Sequence, residues 1–284
     1  MRTRRFDYTR TTSLDEALSA LGAGGQVLAG GQSLVQTMKL RQVAPSHLVD
    51  INDIEDLRGI RAEGGGLRLG SLTRIAELAS APEVASTYPW LQRAAHLTAD
   101  VQVRNRATIG GNLCFADPRS NLASTLISLR AEVTVRSGSA TRRIAVEDLF
   151  RGYRRTVLEA GELLTDVHLP DPGPGARGGY RELSRQPNGV PVVNVAVTAT
   201  ADQVTGIGVG GLGQRPLRAR LVEQALQGID RRDPEAVGDA AAWLTKDLAG
   251  TEPLTDLHGT AEYRIDVAAV LLRRLVVATT TQGS

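Results

Sequence analysis

The sequence holds a single cysteine, Cys114, among 284 residues. This excludes an internal disulfide and any iron–sulfur cluster held by this chain alone, because such clusters need about four thiolates. Cys114 itself reads as a small buried hydrophobe. Histidine is scarce too: His47, His96, His168 and His258 are scattered, none with a second ligand at metal-site spacing, so no metal is expected. An excess of one charge is missing, since 33 basic and 31 acidic residues leave +2. That balance is too small to mark nucleic acid or an anionic membrane as the main partner. No run approaches the roughly 18 apolar residues of a membrane span, and the basic start Met1-Arg2-Thr3-Arg4-Arg5-Phe6 lacks the apolar stretch of a secretory signal. A cytoplasmic protein is expected. No Ser/His/Asp set stands in a nucleophile-elbow context, which leaves hydrolysis without support.

What is present is an alternation of short strands and helices. Ser13-Leu14-Asp15-Glu16 forms a capping box, with Leu14, Ala17, Leu18 and Leu21 on one face and Gly22 at the end. A strand at 26–29, a glycine turn at 30–33, a helix at 34–40 and a strand at 47–51 complete an αβαβ unit over residues 1–55. Strands at 60–62 and 67–70 flank a glycine hairpin, and helices are expected at 73–80, 89–98 and 122–130. The 99–121 stretch is rich in Gly, Pro, Asn and Asp and reads as a loop. Residues 132–136 restore a strand. Pro170-Asp171-Pro172-Gly173-Pro174-Gly175 reads as a linker, which closes a second unit at 56–175 and opens a third at 176–284. In the third, paired strands are expected at 192–197 and 204–209, and helices near 218–227, 234–247 and 262–280. Val270, Leu271, Leu275 and Val276 form the expected core stripe of the last helix.

Two glycine pairs carry the chemistry. Val27-Leu28-Ala29-Gly30-Gly31-Gln32-Ser33-Leu34 is an apolar run that stops at a glycine turn, with Ser33 as an expected helix cap. Ala107-Thr108-Ile109-Gly110-Gly111-Asn112 reads as a second strand and turn. Glycines let bare backbone approach phosphates, and N–H groups and hydroxyls donate to the oxygens, so the pair suits a diphosphate-bearing cofactor. Gly208-Val209-Gly210-Gly211-Leu212-Gly213 matches a dinucleotide fingerprint in spacing only. Gln214-Arg215-Pro216-Leu217 delays the helix a Rossmann unit needs, so these glycines read as a tight packing point in a strand.

AGGQSLVQTMKLR (29–41) and QVRNRATIGGNLCFADP (102–118) resemble the two FAD-binding motifs of the flavoprotein subunit of molybdenum hydroxylases, the carbon monoxide dehydrogenase and xanthine dehydrogenase group. VDIN (49–52), GSLTRIAEL (70–78), AVEDLFRGYRRTVLEAGELLTDVHLP (145–170), RPLRAR (215–220) and AEYRIDVAAVLLRRL (261–275) resemble it in the same order, over nearly the whole chain. The resemblance implies an α+β fold: two α/β FAD-binding subdomains of vanillyl-alcohol-oxidase (PCMH) type and a C-terminal α+β domain covering the flavin.

By the same resemblance, Leu28, Ala29, Gly30, Gly31, Gln32, Ser33, Leu34 and Val35 line the FAD diphosphate, and Thr108, Ile109, Gly110, Gly111 and Asn112 close around it. Asp117 follows in that loop, Asn121 stands where the family usually has a ribose-binding aspartate, and Leu164 and Arg181 match positions near the flavin ring. Gln36 and Asn121 stand where many relatives carry proline and aspartate, and Val190 where several carbon monoxide dehydrogenase-like relatives carry an aromatic residue; an aliphatic residue there also resembles the xanthine dehydrogenase branch. The implied function is an FAD-dependent oxidoreductase subunit that receives electrons from a [2Fe–2S] small subunit, serves a molybdopterin large subunit, and passes electrons to an acceptor such as NAD, a quinone or oxygen. No catalytic acid or base stands out. The alternative is a stand-alone FAD-dependent oxidase or dehydrogenase acting on a small molecule.

Overall fold

The computed structural model describes residues 2–281. The first sheet is parallel, in the order Asp7–Arg10, His47–Asp50, Gln26–Leu28. Helix Leu14–Gly22 starts at the predicted box: Ser13 Oγ accepts the Glu16 N–H, and the Glu16 carboxylate accepts the Ser13 N–H. Its Ala17, Leu18 and Leu21 pack with Val49 and Ile51 in a small core. Strand Asp7–Arg10 escapes sequence reading because all four of its residues are exposed and show no apolar alternation. It is held by its ladder to the central strand.

The second sheet is antiparallel, in the order Ile60–Glu63, Gly66–Gly70, Leu163–Leu169, Glu132–Arg136, Thr141–Ala145. Over it lie helices Ile75–Ser80, Pro82–Thr87, Pro89–Leu97, Val101–Arg104, Ile109–Phe115 and Asn121–Ser128. The expected loop at 99–121 thus carries two short helices. Asp100 caps the first by accepting the Val103 N–H at 2.8 Å, and Thr108 caps the second by accepting the Gly111 N–H at 3.1 Å. Gly110 and Gly111 therefore lie in the first turn of a helix rather than after a strand; capping side chains offset the poor helix propensity that hid it.

The third sheet is antiparallel, in the order Arg177–Leu183, Val193–Ala199, Val204–Gly210, Leu217–Arg218. Helices Arg220–Ala225, Pro234–Ala241, Leu244–Asp247 and Ala261–Thr281 accompany it, so the helix expected at 234–247 is two. On the last helix Val270 faces outward at 38% exposure, and the buried stripe is instead Ala268, Leu272, Leu275 and Val276. Arg264, on the same helix, is fully buried.

Helix Asn121–Ser128 is buried at every position and lies between the second core and the third sheet. A helix enclosed on all sides must also satisfy its polar side chains. Ser124 donates to Asn194 Oδ1, and Ser128 shares a hydrogen bond with Thr198. The fit requires glycine: a Cβ on Gly206 would strike the Ser128 carbonyl and one on Gly208 the Ser124 carbonyl. The dinucleotide-like spacing at 208–213 is thus tight packing: Gly208 against this helix, Gly210 against Asn194 and the Pro118 carbonyl, Gly211 against the Val192 carbonyl. Gly208→Ala is expected to cost about 1–3 kcal/mol or more, as overpacking does, read as a lowered urea midpoint.

Candidate functional site

The glycine turn at 30–31 sits at the carboxyl end of strand Gln26–Leu28 and leads into helix Leu34–Lys39. Gly31 has φ +74°, a conformation that a side chain would strain. Gly30 lies so close to the Arg106–Ala107 backbone that a Cβ would collide with the Arg106 carbonyl. The two stretches singled out from the sequence therefore meet directly, although separated by the whole Ile60–Gly70 hairpin.

Their backbones behave differently. Among the described residues, no protein acceptor takes the N–H of Ala29, Gly30, Gly31, Gln32, Ser33 or Leu34. Ser33 is the N-cap residue, but its hydroxyl makes no capping bond, contrary to expectation; with φ −100° and ψ −51° it already sits in the helical region, where the hydroxyl does not reach back. In the second stretch the donors are used internally. Ile109 N donates to Thr73 O, Gly110 N to Ser71 O, Gly111 N to Thr108 Oγ1 and Asn112 N to Thr108 O. Asn112 Oδ1 accepts from Ser120 Oγ at 2.6 Å. The first stretch is thus an open cradle of donors, and the second is a wall that supports it. A run of unclaimed N–H groups at a strand-end glycine turn suits an anion.

Residues that sequence reading did not single out build the back of the cradle. Asn52 Nδ2 donates to Ala29 O at 2.9 Å and to Asp50 Oδ1 at 2.7 Å. Arg74 Nη2 donates to Asn52 Oδ1 at 2.7 Å, and its Nη1 donates to Arg106 O. Burial first, then Arg58 and Arg106, hold the Arg74 guanidinium below its usual basicity. The buried Arg58 Nε and Ser71 Oγ atoms make no hydrogen bond, though Arg58 Nε lies 3.6 Å from Glu55 Oε1. The only sequence signal for Asn52, Ser71 and Arg74 is membership of the VDIN and GSLTRIAEL stretches.

The Asp50 carboxyl is raised by burial, but hydrogen bonds from Tyr8 and Asn52 outweigh this and leave it below the usual carboxylate range. A lowered folded-state value gives stability that is present above the ordinary aspartate value and is lost as pH falls toward the lowered one. Between pH 6 and pH 3, wild type is expected to lose more urea resistance than Asp50→Asn.

The remaining predicted residues lie on other elements. Asp117 is taken up by Arg119, whose N and Nε lie 3.0 Å from Oδ1 and whose Nη2 lies 3.2 Å from Oδ2. Asn121 is buried and donates from Nδ2 to Glu182 Oε2, which also accepts from Tyr180 OH at 2.7 Å. Leu164 is 2% exposed in the second core. Arg181 is exposed on strand Arg177–Leu183, and Val190 is 60% exposed in the following loop. Cys114 is exposed, not buried as expected, because it lies on the outer side of helix Ile109–Phe115, whose Ile109 and Leu113 face the core.

Comparison with known proteins places the whole chain in a family. Residues 4–172 match the family described as the FAD binding domain in molybdopterin dehydrogenase, and residues 178–279 match the CO dehydrogenase flavoprotein C-terminal domain. This chain belongs to the molybdopterin dehydrogenase flavoprotein family. It is similar to the carbon monoxide dehydrogenase medium chain of Afipia carboxidovorans, at 34% identity over 95% of both chains. It is also similar to the 6-hydroxypseudooxynicotine dehydrogenase complex subunit alpha of Paenarthrobacter nicotinovorans, at 32% identity over 96% of this chain and 94% of the other. Among solved structures, a reconstituted CO dehydrogenase from Oligotropha carboxidovorans superposes with a TM-score of 0.94 at 33% identity, covering all of both chains. The α+β architecture, the FAD cofactor and the oxidoreductase class expected from the sequence are those of this family.

Proposed function

We propose that this chain is the FAD subunit of a heteromeric molybdenum hydroxylase, accepting electrons from a [2Fe–2S] small subunit, beside a molybdopterin large subunit, and passing them to an external acceptor. The observation that carries the reading is the open run of N–H donors from Ala29 to Leu34, backed by Asn52 and Arg74, in a chain of this family. Names of relatives such as a medium chain and a complex subunit support the division of labour. So does the single cysteine, which leaves iron–sulfur chemistry to another chain.

The residues present fit the cofactor: a diphosphate needs several unclaimed donors and bare glycine backbone, and both are there. When bound, FAD supplies the electron relay. The chain's own residues bind and orient it. Leu28 to Val35 form the diphosphate seat, with Gln32 and Ser33 side chains free to add donors. Thr108 to Asn112 buttress that seat through Ala107 and Arg106. Asp117 from the loop after helix Ile109–Phe115, Asn121 from helix Asn121–Ser128, and Leu164 and Arg181 from the second and third sheets complete the surroundings. In this reading residues 1–55 and 56–175 are the two flavin-holding units and residues 176–284 cover the ring, in a cytoplasmic complex. Among the described residues no helix is long and apolar enough to cross a membrane.

Purification of the complex from its native host tests the assignment. The expected result is copurification with two further chains, with molybdenum, iron and FAD present. A yellow chain purified alone, whose flavin is reduced by a small organic substrate without any partner, would overturn it.

A further inference from the structure

We propose that Arg74 is a positioning residue that clamps the diphosphate cradle to its supporting wall; the proposal rests on the flavin reading above. Its guanidinium bridges two carbonyl-bearing segments that come from distant parts of the chain. Nη1 donates to the Arg106 carbonyl, the group against which Gly30 is pressed. Nη2 donates to Asn52 Oδ1, and Asn52 in turn donates to the Ala29 carbonyl at the start of the cradle. One planar fork therefore holds both the turn and the wall, which a point charge on a flexible stem does not reproduce.

Arg74 is not held for ion pairing. Among the described residues it makes no salt bridge; Glu77 accepts its backbone N–H at 2.8 Å, as a helix start does. The cations beside it are Arg58 and Arg106, and the acids facing it are Glu77 and Asp50. Asp50 is itself occupied by Tyr8 and Asn52. Arg58 packs beside the same asparagine: its Nη2 donates to the Asn52 carbonyl, and its buried Nε, which makes no hydrogen bond, lies 3.6 Å from Glu55 Oε1. The outcome is a rigid seat whose donors are fixed before any anion arrives, and Arg74 is the part that spans it.

The test uses the full chain stripped of flavin, titrated separately with FAD and with riboflavin, which lacks phosphate, and followed by flavin fluorescence. Arg74→Met and Arg74→Lys are both expected to weaken FAD binding about 10- to 100-fold, the range seen when a supporting hydrogen-bond partner is removed. Riboflavin affinity is expected to stay within about twofold of wild type, because only the phosphate seat is disturbed. Circular dichroism checks folding; where Arg74→Met does not fold, Arg74→Gln, which keeps one donor group, carries the same comparison. Full recovery in Arg74→Lys would assign the effect to charge and overturn the clamp. Equal losses of FAD and riboflavin, or FAD affinity unchanged in every variant, would overturn it as well. A wild-type chain that binds no FAD would instead overturn the flavin reading itself.

Discussion

Gly30→Ala is expected to leave the purified protein nearly colourless, with flavin content below about a tenth of wild type. The added Cβ would overlap the Arg106 carbonyl, and that backbone cannot retreat cheaply. Ala107 O accepts from Ile75 N at 3.0 Å, Ile109 N donates to Thr73 O at 3.0 Å, and Arg106 O is held by Arg74. Overpacking against fixed backbone costs about 1–3 kcal/mol, and here the strain falls on the segment proposed to carry the phosphate donors. The turn is expected to move, while the three cores, which Gly30 does not enter, stay folded. Gly111→Ala is the control. Gly111 is exposed, and a Cβ there meets only Thr108 Oγ1 at 2.8 Å. Its cost is at most a weakened cap, about 0.5–2 kcal/mol, and less flavin is expected to be lost than in Gly30→Ala. The ratio of flavin to protein absorbance measures both variants; a Gly30→Ala protein as yellow as wild type would refute the close-approach argument.

Arg264→Met is expected to remove about 3–5 kcal/mol of stability, as loss of one partner from a buried charged network does. The fully buried guanidinium donates to Val192 O and Gly211 O, to Gly259 O through Nε, and to Asp256. It thus ties the last helix to the ends of two strands and to the 250–260 loop. Methionine fills much of the space but leaves those acceptors unpaired. Asp256 also lies 3.9 Å from Arg119, which holds Asp117, so the loop after helix Ile109–Phe115 loosens too. Urea unfolding checks the stability, and flavin content is expected to fall less than in Gly30→Ala because the cradle is not touched.

These two residues show what the sequence discloses. Both glycine pairs look equivalent on paper, and only the structure separates Gly30, pressed on backbone, from Gly111, exposed and clear of backbone. The capping box at Ser13 is legible because its chemistry is local, within four residues. Arg264 is not, since an arginine on an amphipathic helix reads as a solvated charge until the loops around it are placed. Asn52 and Arg74 are equally silent: their partners lie 23 and 32 residues away, and no periodicity reports such distances. The Gly208 spacing misleads as a motif because helix packing and phosphate binding both demand a missing side chain.

The strand order of the first sheet has a bearing on biosynthesis. Its middle member, His47–Asp50, is the last of the three to leave the ribosome, so Asp7–Arg10 and Gln26–Leu28 have no neighbour to pair with until it emerges. The wall at Arg106 comes later still. The nascent chain therefore cannot offer a finished seat to flavin before more than a third of it has been made, and cofactor loading reports on a chain that has already brought residues 26–28, 47–50 and 106 together.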